Sequence, residues 1–293
     1  MGNANWRYFD FWLLGAVVVM TIFGVTMIRS AVAGNVDLEQ AVQRQIIFAL
    51  IGFVVVFIIS LVDYHLLASV SRPMYIITVL FLGALTIAGQ ALYGSARWFD
   101  TGVILIQPSE LAKIVVILVL ADFFARNQDK IGNLIWVGRS FFYTLGIVVW
   151  ILLQPNLSTS LVILVTWFAL LWASGLRLRH LGIFIAGGIA LPFAAYPFLQ
   201  EYQQRRIMNF LFPDPTASYG ENYNIQQALI SIGSGGWFGK GYFQGTQIHL
   251  RFLKVRWSDF IFSGTAEEFG FVGSVLVMLL LLFVVYRCIR AAR

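Results

Sequence analysis

The chain has 293 residues, 59% of them hydrophobic, 16% aromatic and 12% charged, with a net charge of +6. The charged share is about half that of an ordinary soluble domain, which excludes a water-soluble globular enzyme. Apolar runs long enough to cross a bilayer recur without the two-residue alternation of barrel strands, which leaves a polytopic helical membrane protein.

In chain order, the runs predict eight spans, at 11–30, 46–62, 73–91, 103–124, 134–153, 157–175, 181–199 and 260–286. The expected fold is an all-α transmembrane bundle forming one membrane domain over 1–293. The first span follows WRYFDF with no small-residue cleavage site, so it is expected to stay as a helix. Arg7, Arg72, Arg126, Lys130, Arg139, Arg177, Arg179, Arg287, Arg290 and Arg293 fall on one side of these spans. The short connections on the other side hold only Arg29, Arg44 and Arg97. The positive-inside rule then places both termini in the cytoplasm, and the basic excess is a topology signal rather than a nucleic-acid footprint. Cys288, the single cysteine, has no disulfide partner and no metal-ligand spacing around it, and reads as a small hydrophobe.

Ionisable groups inside spans are costly and mark function by default. Ahead of the fourth span, YGSARWFD puts Arg97 and Trp98 at the outer interface, where Trp98 anchors and Arg97 could meet a phosphate. Within VILIQPSELAKIVVIL, Gln107, Glu110 and Lys113 recur every three residues on one helical face. Pro108 suits a first helical turn, whose free N–H groups favour an anion. The plainer alternative is a Glu110–Lys113 pair that only holds helices together. QPNLSTS at 154–160 repeats the Gln–Pro start, and two such starts suggest a polar cavity opening outward.

Residues 200–259 form a long external loop, too apolar for disorder, in which short helices are expected. Its IGSGGWFGKG lacks the Walker spacing and the preceding strand of a phosphate loop. It reads instead as a turn in close backbone approach to a sugar or lipid headgroup, with Lys240 a candidate phosphate contact. RFLKVRWSDF then sets Arg251, Lys254 and Arg256 before Asp259 at the outer mouth of the last span. A helix-capping role for Asp259 competes with that of a base beside cations that hold an anionic substrate. Glu267 and Glu268 lie deeper and are expected to pair with Lys113 or an arginine.

Taken in order, GSARWFD, IQPSELAK, QPNLSTS, RRIMNFLFPDP, IGSGGWFGKGYFQGTQ and SDFIFSGTAEEFGFVG resemble the SEDS family (shape, elongation, division and sporulation), and most closely its RodA branch. The resemblance implies a peptidoglycan glycosyltransferase of the bacterial plasma membrane. Such an enzyme polymerises lipid II on the outer face beside a class B penicillin-binding protein. The family's essential aspartate falls on Asp259 and its RW tryptophan on Trp98. The QPSE/K residues fall on Gln107, Glu110 and Lys113, the loop RI arginine on Arg206, and the glutamine before the Gly-rich turn on Gln227. Three positions depart from the pattern: Asn156 replaces an aspartate, Arg251 a glutamate and Lys254 a common proline. The family has ten spans, so the expectation is a chain truncated after the eighth.

The reaction so implied is an inverting hexosyl transfer from a lipid pyrophosphate donor to lipid II. Asp259 is the expected catalytic base. Arg97, Trp98, Gln107, Glu110, Lys113, Arg206, Gln227 and Lys240 are the expected substrate-binding residues. The sequence demands no metal or cofactor, and a divalent cation such as Mg²⁺ is the one that pyrophosphate chemistry leaves room for. Expected partners are lipid II, the growing glycan strand, a class B penicillin-binding protein and membrane lipids. A flippase of lipid-linked sugars and a non-catalytic scaffold for a penicillin-binding protein are the rival readings. The first rival is disfavoured because the intramembrane polar residues gather at the outer ends of the spans.

Overall fold

A computed structural model of the chain describes residues 9–35, 38–93, 99–100, 105–130, 133–154, 156–199, 201–212 and 221–292. Among the described residues, eight helices have 17 or more residues. They are α1 (Phe11–Val32), α2 (Glu39–Ser60), α3 (Tyr64–Tyr93), α4 (Pro108–Arg126), α5 (Leu134–Leu153), α6 (Leu157–Ala173), α7 (Leu178–Ala195) and α11 (Ile261–Ala291). The long loop contributes three shorter ones, α8 (Glu201–Leu211), α9 (Glu221–Ser234) and α10 (Thr246–His249). Five helices, α1, α2, α3, α5 and α11, are long and apolar enough to cross a membrane; α6 and α7 are shorter apolar helices.

The helix starts follow local chemistry. Asp10, Asn133 and Asn156 occupy N-cap positions and accept backbone N–H bonds from Leu13, Ile135 and Thr159. Asp63 does the same for His65 at the head of α3 (2.9 Å). Three expected helix starts move by five residues or more, and α2 begins at Glu39 rather than residue 46. α3 begins nine residues before the expected start and carries Pro73 inside it. A proline within an otherwise apolar helix is tolerated where neighbouring helices satisfy the freed backbone. α4 begins at Pro108 rather than residue 103, because Phe99–Asp100 and Leu105–Ile106 pair as a short antiparallel ribbon, β1 and β2.

The described residues form two compact units. One comprises α1, α2 and α8–α11. In it α11 packs against α1 and α9, α2 packs on α1, and α10 touches α1 and α11. Its buried residues include Met27, Ala31, Ile248, Leu253, Glu267 and Glu268. The other comprises α3–α7, with a core of Leu82, Ala112, Leu120, Ile147, Ile163 and Leu171. Large apolar side chains on α2 and α11, such as Val54, Phe57, Leu276 and Leu279, point outward. That is the expected inversion for helices solvated by lipid rather than water.

Candidate active site

In the first unit the loop from 235 to 260 closes over the head of α11. Asp259 is exposed and stands just before the N-cap, which is Phe260. The hydrogen bond on its carboxylate comes from Ser258 Oγ, 3.1 Å from Oδ1. The helix therefore starts without Asp259 as its cap, and the carboxylate is exposed.

The loop leading to it is held under backbone strain. Arg251 (φ 61°) and Val255 (φ 53°) adopt left-handed conformations, which side chains with a Cβ rarely populate and which gather at functional sites. Two of the three cations ahead of Asp259 are tied to backbone carbonyls. Arg251 Nη2 donates to the Gly34 carbonyl (2.5 Å). Arg256 is buried and its Nε donates to the Ala31 carbonyl (2.6 Å). Burial, and secondarily the nearby Arg251 charge, lower the Arg256 pKa from the usual arginine value. Arg256 satisfies an orphan carbonyl in the last turn of α1, and Arg251 one just beyond its C-cap. Lys254 is exposed and makes no such tie among the described residues.

The deeper acids find partners other than Lys113. Lys240 Nζ meets Glu267 Oε1 at 2.7 Å, with Glu267 fully buried. The Thr246 hydroxyl and the Gln247 N–H also donate to this carboxylate, at 3.0 and 3.1 Å. Ser30 Oγ donates to Glu268. The reason lies in the chain path: the Gly-rich turn brings Lys240 directly onto α11, while Lys113 is engaged within its own helix.

That turn makes a close backbone approach to α11. α11 breaks at Gly270 (φ 67°, ψ −162°). In an unbroken helix the N–H groups of Phe271 and Val272 would bond the carbonyls of Glu267 and Glu268. Here Phe271 N–H donates to Gly236 O (2.8 Å) and Val272 N–H to Trp237 O (3.1 Å). The freed carbonyls of Glu267 and Glu268 accept from the N–H groups of Lys240 and Gly241, both at 2.9 Å. Two helical bonds are thus exchanged for four to the loop. A Cβ on Gly239 or Gly270 would strike the facing backbone.

Beside Asp259, Trp257 helps line a cavity of about 270 Å³ with Gln40, Arg44 and Phe48 of α2. The sequence reading used Arg44 only for topology and passed over Trp257. An arginine midway between a polar helix start and an apolar run is the signal that could have drawn attention to it. Gln227 lies half-buried on α9. Arg206 lies on α8, with its side chain outside the described residues.

In the second unit, Glu110 Oε2 and Lys113 Nζ pair at 2.7 Å on α4, partly exposed. Gln107 is the N-cap residue but makes no side-chain cap bond. Gln154 ends α5 instead of opening α6, and its buried amide donates to Thr86 Oγ1 (2.9 Å). Its amide thus takes part in the packing of α5 against α3. Arg97 and Trp98 lie outside the described residues. Among the described residues no cluster of three or more His, Cys, Asp or Glu side chains could hold a metal ion.

Residues 6–293 match the family model FTSW_RODA_SPOVE, described as a cell cycle protein. The chain belongs to the FtsW/RodA/SpoVE family. Within the family it is 32% identical over 295 residues to a probable peptidoglycan glycosyltransferase FtsW of a Geobacter species, covering 97% of this chain and 79% of that one. It is 34% identical to the peptidoglycan glycosyltransferase MrdB of Helicobacter pylori, covering 93% of this chain and 69% of that one. Two solved structures share the FtsW/RodA/SpoVE architecture. A chain of a peptidoglycan synthase complex matches with TM-score 0.77 at 27% identity, covering 95% of this chain and 76% of that one. The rod shape determining protein RodA of Thermus thermophilus matches with TM-score 0.65 at 28% identity, covering 97% and 75%.

Proposed function

We propose that this FtsW/RodA/SpoVE member is a peptidoglycan glycosyltransferase that polymerises lipid II into glycan strands at the outer face of the plasma membrane. The observation that carries the reading is Asp259, an exposed carboxylate free of the helix-cap role, on a strained loop fastened to α1 and α11. Relatives over nearly the whole chain are named peptidoglycan glycosyltransferases, and the Asp259 position carries the base chemistry such a transfer needs.

In this reading Asp259 takes the proton from the acceptor sugar hydroxyl as that oxygen attacks the anomeric carbon of the donor. The bond to the lipid pyrophosphate breaks with inversion. The departing pyrophosphate needs fixed positive partners, and Arg97, Lys113, Arg206 and Lys240 are the assigned ones, with Trp98, Gln107, Glu110 and Gln227 positioning the sugars. Lys240 must then serve both Glu267 and the phosphate. A Mg²⁺ ion could share the charge of the leaving group. Both termini lie in the cytoplasm. A class B penicillin-binding protein is the partner, in keeping with the matching chain from a peptidoglycan synthase complex.

The test is polymerisation of fluorescent lipid II by the purified protein in detergent. It is run with and without a transpeptidase-only penicillin-binding protein, beside Asp259→Asn. Because the carboxylate does not cap α11, the variant should melt as the wild type does while losing 10²–10⁴-fold in rate, roughly the range of a general base. Equal polymer from both proteins would remove Asp259 from the chemistry. Sugar-lipid translocation without polymer would favour the flippase.

A further inference from the structure

The second unit carries a basic cavity that the glycosyl transfer does not use. It has a volume of about 730 Å³, and its walls include Arg72 of α3, Arg126 of α4 and Arg139, Trp136, Phe142 and Tyr143 of α5. Each of three helices sends one arginine to it, and its lining contains no carboxylate. Arg126 Nε is tied to Asp122 (2.8 Å), which leaves its terminal nitrogens to donate. The Arg139 guanidinium stacks on the Trp136 ring, 4.6 Å from the centroid, and Lys130 lies 4.8 Å from the same ring. Phe142 is 72% exposed.

The plain reading of these arginines is topology. Orientation by the positive-inside rule needs only charge on one side, with no requirement that the charges share a cavity. Here they converge from three helices, and an indole fixes the plane of one of them. The place is the end of the bundle where α4 finishes and α5 begins, with Arg72 nine residues into the long α3. A guanidinium is planar, permanently charged and matched to two phosphate oxygens at once. Aromatic side chains belong at the level where headgroup meets acyl chain. An arginine floor beside an outward-facing Phe142 suits a molecule with an anionic head and an apolar tail.

We propose that Arg72, Arg126 and Arg139 bind the phosphate headgroup of an anionic phospholipid, with Trp136 and Tyr143 forming the wall and the acyl chains running past Phe142. Basic pockets between membrane helices recognise lipid headgroups by this chemistry. The site is separate in purpose from Asp259, and its occupancy does not depend on the glycosyl transfer.

The test titrates the full chain, purified in neutral detergent, with dioleoyl phosphatidylglycerol and counts bound lipid by native mass spectrometry. Arg72→Gln and Arg139→Gln should each weaken retention about five-fold, and the pair of substitutions more. Arg290→Gln, which removes an exposed charge at the end of α11, should leave retention unchanged. Phosphatidylcholine should bind far less well, and millimolar inorganic phosphate should not displace the lipid. Arg139→Lys keeps the charge and removes the planar fork, and should also lose retention. It holds the proposal to account if a glutamine variant fails to fold. An equal loss in Arg290→Gln would mean diffuse attraction and overturn the site. Unchanged retention in Arg139→Lys, equal binding of phosphatidylcholine, or displacement by inorganic phosphate would each overturn it as well.

Discussion

Lys240 shows how one side chain can serve structure before chemistry. Its ammonium meets a fully buried Glu267 at 2.7 Å while remaining partly exposed itself. A buried carboxylate that loses its ion-pair partner is left uncompensated, a loss of about 3 kcal/mol or more. Lys240→Met, which keeps the stem and deletes the charge, should therefore lower the thermal midpoint in detergent by several degrees. Adding Glu267→Gln should recover most of the loss. A Lys240→Met protein that melts normally yet loses activity would show that the lysine's role is substrate contact alone. The sequence marked Lys240, Glu267 and Asp259 as residues of interest, because charge in an apolar chain is conspicuous. It could not pair them. Lys240 and Glu267 are 27 positions apart, and only the path of the Gly-rich turn brings them together. The backbone ties of the cations before Asp259 are equally hidden in the sequence. A string of letters does not reveal that Gly34 and Ala31 carbonyls end a helix beside them.

At the scale of elements, the apolar runs announced the long helices because length and composition are local properties. The break in α11 was hidden. Apolar residues continue on both sides of Gly270, and a glycine in a membrane helix is ordinary. What makes it a break is the segment 236–241, whose N–H and C=O groups replace those of the missing turn. The same exchange explains the glycine in this turn: a Cβ on Gly239 would strike the Glu268–Phe269 backbone, and one on Gly270 the Trp237–Gly239 backbone. Gly270→Ala would impose a left-handed conformation on alanine and push a methyl into the chain at Trp237–Gly239. The expected cost is at least about 2 kcal/mol. Because the turn carries Lys240 and leads toward Asp259, lipid II polymerisation should fall with it. Circular dichroism melting and the polymerisation assay together check this. A variant as stable as the wild type would mean that α11 can run straight through this point.

At the scale of the molecule, the sequence reading of an even number of spans requires the first and last helices to begin and end on one side. In the first unit, one ion pair joins the start of α1 to the end of α11. Arg287, near the end of α11, grips Asp10, at the head of α1, with Nη2 at 2.6 Å from Oδ1 and Nε at 2.8 Å from Oδ2. The Asp10 carboxylate also caps α1 through the Leu13 N–H (2.9 Å). The hydrogen bond from Arg287, and after it the Leu13 N–H, hold the Asp10 pKa below the ordinary 3.8. A carboxyl whose folded pKa is depressed contributes stability above its unfolded value and loses it as the pH falls through the folded one. Asp10→Asn keeps a capping side chain but cannot form the ion pair. Its thermal midpoint should lie below that of the wild type by a constant margin near neutral pH. That margin should close only when the pH drops below the ordinary aspartate value, where the wild-type carboxyl is protonated too. A margin that persists unchanged into strong acid would locate the effect in the cap, and the two ends of the chain would then be held by the α1–α11 packing alone.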